Sequence, residues 1–282
     1  MTSLTIGQCA TLACLWEVMV PKPGNVHRAA DFEDLTFGDF VTSAVAIGPA
    51  MDRAGRERSV GQTVLDAVRA TRQLVDTNTN LGTILLLAPL AAVSREVPLV
   101  EGVASVLSEL NSEDAGRVYQ AIREAAPGGL GDVPSWDVAG PAPPDLLQAM
   151  RAAADRDLVA RQYANDFAEL FQSVVPYLRD GLDAGRGLTA SVIHAHLRLM
   201  AQYPDSLIAR KCGPDVASEA AARAAQALDV GPPDADAYRR AVADVDFWLR
   251  SDGHRRNPGT TADLIAAGLF VLLRDEIIGV LK

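Results

Sequence analysis

The sequence predicts an all-α fold, on three observations. No segment sustains the period-two alternation of a half-buried strand, and apolar residues recur instead at intervals of three and four along most of the chain. Ala and Leu are abundant in a composition that is 49% apolar but only 5% aromatic, which suits helices. The 282 residues contain no internal repeat and no linker rich in Gly, Ser or charge. The expectation is therefore a single globular domain over 1–282, with about a dozen helices and a site built from inter-helix loops and helix N-termini.

The first helix spans 3–19, with Leu4, Cys9, Leu12, Leu15, Trp16 and Met19 on one side, and Pro21 ends it. Pro21-Lys22-Pro23-Gly24-Asn25-Val26-His27-Arg28 follows as a stiff, charged loop, because each proline fixes its own φ and pushes the residue before it towards extended geometry. Thr36-Phe37-Gly38-Asp39 resembles a capping box for the second helix, and Ser59 with Gln62 opens a third that runs to about 75. Thr77-Asn78-Thr79-Asn80-Leu81-Gly82 breaks the pattern. The segment 83–93 is then apolar nearly all round, so it belongs in a core; a dozen residues cannot span a bilayer.

Helices over 98–110 and 113–125 precede the longest aperiodic stretch, 127–141, which is expected to be an ordered functional loop around Trp136. Helix resumes over 145–182 with a bend at Pro176, and again over 189–203. The polar break 204–213 leads to helices over 215–228 and 234–250. A loop at 253–258 precedes the last helix, which opens at Thr260 or Thr261 and runs to about 281.

A formal charge of −10 and a pI near 4.9 argue against nucleic acid or an anionic membrane as partner, and leave small-molecule substrates in a local basic pocket. The three cysteines, Cys9, Cys14 and Cys212, form no metal-type or disulfide spacing, and no signal-peptide or membrane-span pattern is present, so a reducing cytoplasm is expected. Self-association as a homo-oligomer is compatible with the sequence.

Two of the polar breaks precede apolar helices, whose first-turn amides are unsatisfied donors at the positive end of the helix dipole. Asn78 to Gly82 and Asn257 to Thr261 are thus candidate anion cradles, with ordinary capping by Asn and Thr as the alternative. Asp263 is either a capping partner for Thr260 or a Mg²⁺ ligand beside a phosphate. Lys22, Arg210 and Lys211 are cations at such breaks, while Asp132, Asp137 and Asp205 are loop carboxylates able to bind Mg²⁺ or serve as a base. His27 is the histidine of a candidate site loop; His194 and His196 point different ways on one helix, and His254 reads as surface. Neither a P-loop nor a dinucleotide fingerprint occurs, and Gly128-Gly129-Leu130-Gly131 alone is a weak signal.

In order along the chain, Pro21-Lys22-Pro23-Gly24, Thr77-Asn78-Thr79-Asn80 with Gly82, the Gly128 to Gly131 region, Pro204-Asp205-Ser206-Leu207-Ile208 with Arg210, and Asn257-Pro258-Gly259 running into Asp263 resemble the triphosphoribosyl-dephospho-CoA synthase family. The resemblance implies an all-helical, Mg²⁺-dependent pentosyltransferase. Its implied reaction moves the triphosphoribosyl group of ATP to the 2′-hydroxyl of 3′-dephospho-CoA with release of adenine. It further implies phosphate or ribose contacts for Lys22, Asn78, Asn80, Arg210 and Asn257, with Gly24, Asn25, His27, Gly82, Lys211 and Gly259 completing the substrate-binding set. Asp205 and Asp263 become the candidates for Mg²⁺ ligand or base, and Asp132 a further catalytic carboxylate. One departure is Asn80-Leu81-Gly82, where citrate-lyase-associated members carry His-Lys before the glycine, so the chain is similar to a divergent branch. Ribosyl transfer to another acceptor, such as a pterin cofactor precursor, and an N-glycosidic nucleotide hydrolase are the competing readings.

Overall fold

The computed structural model describes residues 3–128 and 136–278, and fourteen α-helices are found among them. The first three are α1 (Ile6–Met19), α2 (Phe37–Arg53) and α3 (Val60–Arg72). Thr5, Thr36 and Ser59 cap them, each side chain accepting from an amide of the first turn, the last two as the capping sequences predict.

α4 (Leu81–Ala92) and α14 (Gly259–Arg274) are the central pair. Every residue of α4 from Thr83 to Ala91 is buried, and α14 is buried from Leu264 to Arg274, so neither keeps a polar face. α1 packs against α14 and α2, and α5 (Leu99–Ser108) and α6 (Ser112–Ala125) cover the α3–α4 side. These helices share the larger apolar core. α10 (Gly187–Gln202), α12 (Pro214–Asp229) and α13 (Asp236–Arg250) surround a smaller, alanine-rich one. A short extended segment, Ser251–His254, leads from α13 towards α14.

The structure departs from the expected helix over 145–182, which divides into α7 (Leu146–Ala153), α8 (Leu158–Ala164), a π-helical turn Leu170–Val174 and α9 (Val175–Asp183). Asp157 restarts the chain by accepting from the amides of Val159 and Ala160, and Asp166 and Phe167 take positive φ between α8 and the π turn. The expected loop 204–213 also contains a helix, α11 (Ser206–Cys212), whose cap is Asp205. The last helix ends at Arg274 rather than near 281, and residues 279–282 lie outside the described residues. No helix among the described residues is long and apolar enough to cross a membrane.

Candidate active site

The N-terminal turns of α4 and α14 meet beside α1 and open into a cavity of about 930 Å³. Cys14 and Glu17 of α1 line it from below, and Arg210 and Lys211 of α11 line one wall with Asp157 at the start of α8. The far end, between α6 and α7, is mostly apolar, with Tyr119, Ile122, Leu146 and Met150.

Asp263 stands one turn into α14. Its Oδ1 accepts from Thr83 Oγ1 at 2.5 Å, which ties it to the first turn of α4. Gly82 makes that approach feasible, since a Cβ there would lie 2.1 Å from Asp263 Oδ2. Enclosure pushes the Asp263 carboxyl up to about 8; the Thr83 hydroxyl pulls it down, and the carboxylates of Glu17 and Asp205 push it further up. At neutral pH it is therefore largely protonated. Burial also raises the thiol of Cys14, with help from Glu17 and Asp263.

Of the residues singled out in the sequence, Asn25, Asn78, Asn80, Gly82, Arg210, Lys211, Asn257, Gly259 and Asp263 all line this cavity. Asn25 donates from Nδ2 to Asn257 Oδ1 at 2.6 Å, and its own buried Oδ1 meets no protein donor. Asn78 caps α4 by accepting from the Leu81 amide at 3.2 Å, while Asn80 is held by Thr71 Oγ1 at 3.3 Å. Arg210 pairs with Asp157, and burial lowers the pKa of Lys211. Gly259 lets α14 approach α11, because a Cβ would stand 2.6 Å from Leu207 Cδ2.

Lys22, Gly24, His27 and Asp205 are placed elsewhere. Lys22 is 0% exposed and ion-paired with Glu17 at 2.8 Å, behind the cavity wall. Gly24, at φ +77°, packs against Pro258 and Leu249 and donates its amide to Asp246 Oδ1 at 2.7 Å. His27 sits in a surface turn, accepting from the Ala29 amide.

Asp205 is buried as the cap of α11. Its Oδ1 accepts from the Leu207 and Ile208 amides, and its Oδ2 from the amide and hydroxyl of Thr261. Burial raises its pKa while these bonds oppose the shift. With four acceptor positions engaged, Asp205 has none left for a metal ion or a substrate proton. Asp132 lies outside the described residues.

The two expected anion cradles thus each receive a carboxylate of the protein itself, Asp263 at α4 and Asp205 at α14. Glu17 and Thr83 went unread in the sequence. The available signal for Glu17 was its register, four residues after Ala13 in the buried stripe of α1.

Carboxylates, amides and cations converging on one cleft of an all-α scaffold define a helical enzyme for phosphorylated small molecules. The chain belongs to the ATP:dephospho-CoA triphosphoribosyl transferase family (CitG), whose family model matches residues 3–280. It is thus an enzyme that transfers the triphosphoribosyl group from ATP to dephospho-CoA. A protein from Archaeoglobus fulgidus, provisionally assigned as a triphosphoribosyl-dephospho-CoA synthase, has a similar solved structure. That similarity has a TM-score of 0.63 at 23% identity and covers 83% of this chain and 97% of the other, which shows the shared fold. No curated protein matches the sequence.

Proposed function

We propose that the transfer takes place in the cavity at Asp263, with adenine as the leaving group and Asp263 as the base that takes the acceptor's proton. The observation that carries this is the enclosure of Asp263 where α4 and α14 meet, which makes it a stronger base than an ordinary carboxylate. The C1′–N bond of ATP breaks with its electron pair going to adenine, and the acceptor's 2′-oxygen bonds to C1′. The 2′-hydroxyl proton passes to Asp263 and on to solvent, while adenine is protonated from solvent.

Asn25 Oδ1, buried and without a protein donor, suits a ribose hydroxyl. Lys211 and Arg210, on the cavity wall, suit the phosphates. Holding both substrates in this geometry supplies roughly 7–11 kcal/mol of the barrier.

For Mg²⁺ the protein's donor set is sparse. Among the described residues no group of three or more His, Cys, Asp or Glu side chains is gathered for a metal, and Asp205 is saturated. The site fits an ion that arrives on the triphosphate, where it would neutralise phosphate charge.

The test is to incubate the protein with ATP, Mg²⁺ and 3′-dephospho-CoA and follow adenine and product mass by liquid chromatography and mass spectrometry. Adenine together with dephospho-CoA heavier by one triphosphoribosyl group is expected, with kcat rising through about pH 8. Adenine without modified dephospho-CoA would count against this acceptor chemistry. Separately, titration of the protein with Mg²⁺ alone should give no tight binding.

A further inference from the structure

Two carboxylates face the cavity floor, and their surroundings differ in kind. Asp263 has a neutral hydroxyl for a partner. Glu17 has a full counter-charge: Lys22 Nζ lies 2.8 Å from its Oε1, and the side-chain exposures are 0% for the lysine and 11% for the glutamate.

The ammonium of Lys22 carries three donors. One goes to Glu17 Oε1, and the others go to the carbonyls of Glu17 and Val20. Nothing is left for a substrate phosphate. The prolines on either side fix the lysine's backbone, and the loop they form turns back beneath the last turn of α1. A buried ion pair of this kind adds little stability over an apolar pair of the same shape, so holding a charge here needs another reason.

We propose that Glu17 is the carboxylate that stabilises the ribosyl cation in the transition state, and that Lys22 is the positioning residue that holds Glu17 aimed by pairing with it. This rests on the reading of the cavity as the transfer site. When the C1′–N bond stretches, positive charge develops on C1′ and the ring oxygen, and a desolvated anion beside it is worth most at that moment. Glu17 forms no bond and exchanges no proton. It acts through charge, while Asp263 handles the acceptor's proton. The two carboxylates divide the work because one is paired with an ammonium and the other with a neutral hydroxyl.

The charged and titratable groups around this pair are few. α1 contributes Cys14 beside Glu17, α11 contributes Asp205 at its cap, and α4 offers only the Thr83 hydroxyl to Asp263. α10 places His196 near Lys22; burial pushes it down to about 3, so it stays neutral and leaves Lys22 as the cation of the cluster.

The experiment is steady-state kinetics across pH for Glu17→Gln, with circular dichroism to verify folding. The expected result is a fall in kcat of about 100-fold or more, with both KM values within about 3-fold. The rising limb of the pH profile should also move to lower pH, since Asp263 has lost an anionic neighbour. A variant within about 3-fold of wild type at every pH, with the limb unmoved, overturns the proposal.

The double variant Glu17→Gln with Lys22→Met removes both charges together and carries the test if the single variant does not fold. It should match the single variant in kcat and in KM for ATP. Wild-type kcat in the double variant would overturn the role given to Glu17, and a rise of about tenfold in KM for ATP on adding Lys22→Met would place Lys22 on the triphosphate and overturn its positioning role. Wild-type enzyme that makes no triphosphoribosyl product would instead overturn the reading of the cavity.

Discussion

Asp263 shows how much one enclosed carboxyl can say about a chain that carries 36 acidic residues. Folded, it keeps its proton up to about pH 8; unfolded, it releases it near the ordinary value of 3.8. Between those limits the folded state binds more protons, so stability falls as pH rises and the contribution is lost above about pH 8. Asp263→Asn removes the titration. From about pH 5 to 9 the wild type should lose stability relative to that variant by an amount on the order of several kcal/mol, read from urea unfolding at each pH. Parallel curves would mean that Asp263 does not titrate in this window. Gly82→Ala tests the same residue through space. The new methyl would occupy the place of Asp263 Oδ2, and a carboxylate displaced by about 1 Å should cost about 100-fold in kcat, with Tm as the control for folding. Asp263 was legible in the sequence because it follows a polar break into an apolar helix. Glu17 was not, because an acid on a helix reads as a solvated face until a lysine from a separate loop is seen to neutralise it.

At the scale of the helices, the polar breaks were the legible features. The caps Thr36 and Ser59 and the all-apolar α4 appear in the structure where local sequence put them. What escaped was short. α11 has seven residues, fewer than two turns, too few for periodicity to register, so its cap Asp205 read as a loop carboxylate free for chemistry. The break of 145–182 into several pieces likewise depends on Asp157 choosing the Val159 and Ala160 amides over a continuing helix. Asp205 makes a prediction that belongs to elements rather than to chemistry. It caps α11 and clamps the start of α14 through Thr261, so Asp205→Ala leaves two buried amides and one part-buried amide without an acceptor. The expected loss is about 3 kcal/mol or more in denaturant unfolding. Unchanged stability with lost turnover would return Asp205 to the list of reacting groups.

Across the whole molecule, a net charge of −10 coexists with a cavity wall bearing Arg210 and Lys211, so the overall acidity and the local cationic wall are separate features. Because the cavity draws on α1, α4, α6 to α8, α11 and α14, a bound substrate restrains much of the chain at once. Dephospho-CoA at about 100 times its Kd should raise the unfolding free energy by about 2.7 kcal/mol, and the melting temperature by about 5 °C in a thermal-shift measurement. A cavity variant such as Asn25→Ala should show a smaller shift at the same concentration. The contact between Thr83 and Asp263 joins residues 180 positions apart, and that between Asn25 and Asn257 spans 232. On a ribosome adding 5–20 residues per second, α4 emerges about 10–35 s before the residue that completes its first turn. For that interval a helix with no polar face has α2, α3 and α5 beside it but lacks α14, so its remaining apolar face makes the nascent chain a natural client for chaperones, and an early stop before α14 would leave an aggregation-prone fragment rather than a weakened enzyme.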